Sequence, residues 1–389
     1  MSVCDFPAGK CIQKLNIEGF LPFSAKFPNL ALMNIYKVIG VMSGTSLDGL
    51  DIAYVEFYED NGRWKFELKD AVTIPYDSYW EEEISQVYDL SAHHYALFNV
   101  QYGHFLGEMI NDFMVERGIK PDLIASHGHT IFHQPENNFT AQIGDGAAIA
   151  AICKTPVVSD FRTTDVALGG QGAPLVPIGD KYLFSDYDYC LNLGGIANIS
   201  FDFDGQRIAG DICPVNMVLN ILANKLDLDF DKDGINARKG NLNPDLLDKL
   251  NQLPFFIQPF PKSLGKEWVD KNFIPNIYSS KISIEDKLRT VCEHISIQIN
   301  KILTDYDNGN QSPKKMLITG GGALNKFLVE LIKQKCSLEI VIPNEQIINF
   351  KEAVIFGLLG VLRFRGEINC LKSVTGAERD SIGGAIHLY

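Results

Sequence analysis

This sequence has no apolar run long enough to cross a bilayer. The longest, Ala353 to Leu362, falls well short of the roughly 20 residues that a spanning helix needs, and it reads as a buried helix. It has no excess of positive charge either. Lys and Arg number 35 against 48 Asp and Glu, a formal net charge of −13, which repels polyphosphate at long range and argues against nucleic acid as a partner. The first 34 residues lack a basic start followed by an apolar stretch and a small-residue cleavage site, so no secretory signal and no membrane contact are expected. A cytoplasmic location follows as the expectation. The 8 cysteines lie far apart, with Cys4 and Cys11 as the one close pair, which makes neither a zinc knuckle nor a disulfide framework. They read as buried thiols.

What is present is the material of a globular protein. With 46% hydrophobic and 21% charged residues over 389 positions, the chain can bury a large core and has length for about two domains. Residues 1–34 carry scattered Pro and Gly without a sustained period and read as an N-terminal appendage. From there Val38 to Val41 reads as a buried strand, Ser43 to Gly49 as a tight Gly-rich turn, and Ile52 to Phe57 as the returning strand. A strand at Phe66 to Ile74, helices through 79–118, a strand at Leu123 to Ser126, a helix at Gly146 to Cys153 and a strand at Val157 to Ser159 follow. A second opening of the same kind starts at Tyr189 to Leu193, turns at Gly194-Gly195 and returns at Ile199 to Phe203. Helices are expected at Met217 to Leu226, at Ile284 to Thr304 and from Ala323, with a central closing helix at Glu352 to Phe364. Two Gly-turn hairpins, each leading mixed helices and strands, predict two similar α/β domains facing each other across a cleft.

Three strand ends could supply chemistry to that cleft. Gly44, Thr45, Ser46, Leu47, Asp48, Gly49, Leu50 and Asp51 combine hydroxyls with backbone N–H groups that glycine allows to approach an anion closely, although no Walker lysine follows. Gly194-Gly195 and Gly320-Gly321-Gly322 are two further Gly-rich strand ends of the kind that cradle phosphates. Alternate His127, His129 and His133 on an extended stretch could share a metal ion, with Asp145 or Asp160 as a further ligand. Substrate-facing or simply buried histidines are the alternative. Arg162, in a loop shaped by Gly169 to Pro177, suits a carboxylate or hydroxylated ligand, or a salt bridge to Asp160 or Asp165. Asp211 is a candidate general base where a cap or turn residue is the plainer reading, and Glu352 opens the closing helix, where an acid either serves the first turn or faces the cleft.

Taken together, Gly40 to Gly49, Ser126-His127-Gly128-His129-Thr130, Gln142-Ile143-Gly144-Asp145, Asp160-Phe161-Arg162 with Gly170 to Pro177, Asn192 to Gly195 and Gly320 to Ala323 closely resemble the motifs of the anhydro-N-acetylmuramic acid kinase family, from about Tyr36 to the last residue. The resemblance implies an α/β fold of two ribonuclease-H-like, actin-like ATPase domains around a central cleft, here 35–165 and 166–389, the closing helix crossing back to the first. It implies ATP and Mg²⁺ as cofactors and an amino sugar as the small-molecule partner. The reaction would be hydrolytic opening of the 1,6-anhydro ring coupled to phosphorylation of O6, in cell-wall recycling. By position Asp211 would be the general base, Thr130, Arg162 and Glu352 would line the sugar site, and Gly44 to Asp51 would meet the ATP phosphates. The sequence departs from the family pattern Asp-x-Gly-Pro-Gly-Asn, which here is Asp211-Ile212-Cys213-Pro214-Val215-Asn216, followed by Asn220 where an acid is common; the usual Gln of His-Gly-Gln-Thr is His129. A homodimer is the default expectation for such an enzyme. Two other classes compete: a metal-dependent hydrolase built on the three histidines, and an actin- or Hsp70-type ATP-binding module without sugar kinase activity.

Overall fold

The structure is a computed structural model that describes residues 35–44, 47, 49–307 and 314–389. The expected N-terminal appendage lies outside the described residues, as do Thr45, Ser46 and Asp48 of the first Gly-rich turn.

The first hairpin opens a mixed sheet. β1 (Tyr36–Ser43) pairs antiparallel with β2 (Leu50–Asp60), which pairs antiparallel with β3 (Arg63–Ile74). On its other side β1 pairs parallel with β4 (Leu123–Ser126). A separate hairpin of β5 (His129–Gln134) and β6 (Phe139–Ile143) follows, and β7 (Val157–Ser159) adds parallel to β4. Helices α1 (Ala92–Arg117) and α2 (Gly146–Cys153) cover this sheet, and α3 (Val176–Leu183) leads out of it. The second sheet repeats the pattern. β8 (Tyr189–Leu193), β9 (Ile196–Phe203) and β10 (Gln206–Pro214) form an antiparallel meander. After α4 (Asn216–Asn224) and α5 (Ile284–Asp305), β11 (Lys315–Thr319) adds parallel to β8. Helix α6 (Lys326–Lys335) then leads to β12 (Glu339–Val341), which is parallel to β11. The closing helix α7 (Glu345–Arg365) precedes β13 (Ala385–His387), which returns to pair antiparallel with β7. The orders β13-β7-β4-β1-β2-β3 and β10-β9-β8-β11-β12 are one topology used twice, the ribonuclease-H-like α/β arrangement.

Strand alternation decides what each face meets. Ile39, Val41 and Ile52 pack against Phe98, Tyr102, Leu106, Ile110 and Phe113, which recur every three or four residues along α1. Val38, Ala53, Val55, Phe57, Leu123 and Ala125 point the other way, onto α7. In the second sheet Tyr189, Leu191 and Leu193 face the core built with Leu288, Val291, Ile295 and Ile299 of α5, whereas Cys190 and Leu317 belong to the cluster around α7. That helix therefore lies between the two sheets, which is why it is apolar nearly all round. It sits very close to β1: a methyl at Gly40 would collide with the Ala353 carbonyl, and one at Gly360 would come within 2.6 Å of Ala125 Cβ.

Several boundaries differ from the sequence expectation. The helices expected through 79–118 are present as Ser78–Gln86 and α1, the second capped by Ser91, which accepts from His94 N, whereas later boundaries shift. Gly321–Leu324 is a single 3₁₀ turn, and α6 begins only after Asn325, whose side chain accepts from Leu328 N at 3.0 Å. The Gly- and Pro-rich loop ends at Val176, since Pro177 suits the first helical turn, where no N–H is needed. The closing helix starts at Glu345, capped by Asn344, so Glu352 lies two turns inside it and does not open it.

Candidate functional site

The second sheet gathers two of the three Gly-rich strand ends. Val215 N and Met217 N donate to Gly195 O, Asn216 N donates to Gly194 O at 3.2 Å, and Asn216 Nδ2 donates to Leu193 O at 3.0 Å. The Asn216 side chain also lies beside Gly321 and Gly322. Gly320 adopts φ 78, and a Cβ there would press on Asn192 Oδ1 and the Leu193 carbonyl at 2.5 to 2.8 Å, so only glycine fits. Around Gly195 and Gly321, by contrast, the nearest atoms to an added Cβ stand 3.6 Å or more away. The result is a side-chain-free surface at the N-terminus of α4, open to a ligand that seeks backbone donors.

The third strand end, between β1 and β2, is described only in part. Leu47 N donates to Gly44 O at 3.3 Å, Leu50 opens β2, and a Cβ on Gly49 would meet Ile74 O at 2.6 Å. Asp51 is tied to β3 by a hydrogen bond from Thr73 Oγ1. At the base of the turn, buried Ser43 Oγ shares hydrogen bonds with Tyr76 OH at 2.7 Å and His129 Nδ1 at 2.8 Å, and Tyr76 OH continues to Tyr102 OH at 2.6 Å. Burial pulls His129 down to about 4, so the ring is neutral at physiological pH.

His129 also begins β5, and its neighbour Thr130 accepts from Gln142 Nε2 at 3.4 Å, next to a bulge between Thr130 and Phe132. Arg162 does not pair with Asp160 or Asp165. Its Nε donates to His127 Nε2 at 2.9 Å and its Nη1 to Gly172 O at 2.6 Å. Because a guanidinium only donates, His127 Nε2 must be the acceptor and Nδ1 must carry the proton it gives to Gly128 O at 2.9 Å. Burial, then the Arg162 charge, hold His127 well below its ordinary range. Asp165 fixes the loop instead, accepting from Gly172 N at 2.8 Å and Thr375 Oγ1 at 2.7 Å. Glu352 keeps water-accessible surface although it is ringed by protein atoms and charges, as a side chain lining a concavity does. Burial raises its carboxyl above the usual range, against the pull of Lys351 and Arg162.

Asp211 sits inside β10, at a bulge between Asp211 and Cys213 that re-aims the strand. It is therefore neither a cap nor a turn. Its backbone N donates to Lys262 O, and its Oδ2 accepts from Leu264 N at 2.8 Å and Ser263 Oγ at 3.4 Å. Both side-chain bonds fall on Oδ2, so among the described residues Oδ1 takes none. Desolvation raises its pKa, against the two hydrogen bonds. Among the described residues, no hydrogen bond or ion pair joins Asp211 to Thr130, Arg162 or Glu352; the β5–β6 hairpin, the segment after β7 and α7 carry those three, the second sheet carries the aspartate.

The metal reading of the histidines fails on geometry. His127 is committed to Arg162 and Gly128, His129 to Ser43, and His133 Nδ1 to Thr140 Oγ1 at 3.2 Å, so no two of them share a partner. Among the described residues no group of three or more His, Cys, Asp or Glu side chains could hold a metal ion. Sequence reasoning missed the role of His127 as the partner of Arg162 and of Asn216 as the brace of both glycine turns. The second had a readable signal, a side-chain amide at the start of a helix right after a strand.

The family model for anhydro-N-acetylmuramic acid kinase matches residues 36–389. A curated anhydro-N-acetylmuramic acid kinase of Caldanaerobacter subterraneus subsp. tengcongensis is 33% identical over 92% of this chain and 99% of its own. One of Sulfurovum sp. is 34% identical over 92% and 100%, and one of Francisella tularensis subsp. novicida is 33% identical over 92% and 100%. Among solved structures, a ligand-bound xylulose kinase from Lactobacillus acidophilus aligns with a TM-score of 0.42 at 12% identity, covering 90% of this chain and 93% of that one.

Proposed function

This chain belongs to the anhydro-N-acetylmuramic acid kinase family, and from that premise we propose how its residues divide the work. It is a sugar kinase of cell-wall recycling that uses ATP: it opens the 1,6-anhydro ring of 1,6-anhydro-N-acetylmuramic acid with water and phosphorylates O6, giving N-acetylmuramic acid 6-phosphate and ADP. Neither the metal-dependent hydrolase nor the ATP-binding module without kinase activity is needed.

In our reading Asp211 is the general base. The observation that carries it is the asymmetry of its carboxylate: Oδ2 is held by Leu264 N and Ser263 Oγ, and Oδ1 remains to take a proton. Asp211 orients a water toward C1 and accepts its proton as the C1–O6 bond breaks. O6, released from the ether, attacks the γ-phosphorus of ATP, so ring opening creates the acceptor. Burial, by raising the carboxyl, strengthens the base at the pH where it is still ionised. Arg162, aimed by His127 and Gly172, binds the lactyl carboxylate of the sugar, while Thr130 and Glu352 contact its hydroxyls.

The residues suit a triphosphate. Gly194, Gly195 and Gly321 present backbone without side chains at a helix N-terminus, with Gly320 and Gly322 packed against Leu193 behind them, and in our reading the β1–β2 turn of Gly44 to Asp51 also meets the phosphates. Mg²⁺ would neutralise charge on the transferring phosphoryl group. With no ready-made ligand cluster among the described residues, it would be held mainly by phosphate oxygens and water, with one or two carboxylates. A cytoplasmic location accords with the absence, among the described residues, of a helix long and apolar enough to cross a membrane. A homodimer remains the default for the assembly.

The test is ADP release with Mg-ATP and 1,6-anhydro-N-acetylmuramic acid, compared with N-acetylmuramic acid, glucose and no sugar. Stimulation by the anhydro-sugar alone is the expected result. Equal stimulation by N-acetylmuramic acid would remove water activation, and with it the role of Asp211.

A further inference from the structure

Behind Glu352 lies a set of buried charges that the reaction does not use. Lys351 is 5% exposed and its Nζ stands 2.7 Å from Oδ1 of Asp180, itself 4% exposed, on α3. The other oxygen of Asp180 accepts from Ser200 Oγ on β9 at 2.5 Å, and Ser200 Oγ accepts from Arg207 Nη2 on β10 at 2.9 Å. Arg207 is 4% exposed and reaches Asp202 at the surface at 3.4 Å. The ammonium of Lys351 also lies over the Phe184 ring, 5.3 Å from its centroid. The charged and titratable groups facing it are thus Asp180 from α3, the Cys190 thiol from β8, and Glu352 on its own helix, with Arg207 of β10 beyond Ser200 and beside Cys190.

A buried ion pair adds little net stability compared with apolar residues of the same volume, yet it fixes position sharply, since either ion alone would be left uncompensated. Here the position fixed is the turn of α7 that carries Glu352. Successive helical residues point about 100° apart, so anchoring Lys351 between the sheets turns Glu352 toward the cleft, where it retains accessible surface. The chain of contacts passes through Arg207 on β10, four residues before Asp211 on the same strand. We propose that Lys351, clamped by Asp180, is a positioning residue for Glu352, fixing its direction and placing a positive charge behind its carboxylate. This rests on the reading of Glu352 as a sugar contact.

Two further observations agree. Burial is the largest influence on Lys351 and opposes its charge, but Asp180, Cys190 and Glu352 together outweigh it and the net shift is upward, so the ammonium persists. Burial likewise raises Glu352, and Lys351 is the larger of the two cations that oppose the rise, ahead of Arg162. Without Lys351 the glutamate would take up its proton at higher pH.

The test uses the full-length enzyme with four variants: Glu352→Gln, Lys351→Met, Lys351→Arg, and the double variant Asp180→Asn/Lys351→Met, which leaves no unpaired ion buried. In the double variant KM for the anhydro-sugar rises about tenfold, the equivalent of about 1.4 kcal/mol. The acid limb of kcat/KM moves to higher pH, by more in Lys351→Met than in the double variant because Asp180 itself raises Glu352; KM for ATP is unchanged, and Lys351→Arg stays near the parent enzyme on all three. A folded double variant with the parental sugar KM and acid limb overturns the proposal. So does a double variant that cannot fold, because the pair would then be a requirement of the fold and no more. If Glu352→Gln raises the sugar KM but the double variant does not, the inference falls alone; if Glu352→Gln itself is without effect, the reading of Glu352 falls first.

Discussion

The two sheets share a strand order and differ in how they hold their functional groups. In the first, Arg162 is gripped from two sides by His127 and Gly172, inside a loop that Asp165 ties down in turn. In the second, Asp211 is gripped on one oxygen only. A binding group profits from complete restraint, because each ordered hydrogen bond lowers the cost of fixing the ligand. A base has to change protonation state and needs an oxygen left over. In the roles proposed above, a binding group on the first wall and a base on the second, the same scaffold, used twice, is finished in opposite ways.

The sharpest way to break this comparison is Asp211→Asn. It keeps the shape and the Leu264 and Ser263 contacts but removes the basic oxygen, so kcat should fall by about 10² to 10⁴ with KM for ATP little changed. A loss confined to KM would make the second wall a binding wall like the first. Next comes His127→Leu, which leaves Arg162 intact but unaimed: sugar affinity should drop about tenfold or more, the worth of a hydrogen bond to a charged group, and kcat should change less. If kcat falls alone, the first wall takes part in chemistry.

A third substitution addresses the frame that holds the walls apart. Gly40→Ala forces α7 away from β1 and should cost several kcal/mol, roughly like other overpacked core sites, read as a lower denaturation midpoint; an equal midpoint would mean the helix yields. The smallest effect is on stability against pH. The Asp211 carboxyl is raised in the folded state, so the folded chain binds the extra proton and stability from this group falls as pH rises from its unfolded pKa through its folded one. Asp211→Asn should then leave the inactive variant slightly more stable than the parent at neutral pH, the difference vanishing in acid. No such gain is expected on removing the Arg162 partner His127.

Much of this frame could be read from the sequence, and what could not has physical reasons. Both hairpins were legible because a Gly-rich turn between apolar alternations is a local signal, as at Val38 to Phe57 and Tyr189 to Phe203. The start of α7 was misplaced because its first turns, Glu345 to Lys351, are amphipathic and the eye follows the apolar run after them; the cap at Asn344 next to an acid was the better guide. The β5–β6 hairpin was missed since its strands carry His, Gln and Thr where strand signals want apolar alternation. Least legible was the pairing of Lys351 with Asp180. Nothing near either residue names the other, and only the stacking of both sheets on α7 brings them together.

That stacking bears on how the chain is made. β1, near the first described residue, packs on a helix that begins at Glu345, and β7 waits for β13 at Ala385–His387 to cover its edge. A ribosome delivers the first three strands long before the helix that covers one of their faces exists. The emerging chain must therefore carry an uncovered apolar sheet face and an open strand edge through most of its synthesis, the condition under which growing chains depend on chaperones and fold slowly.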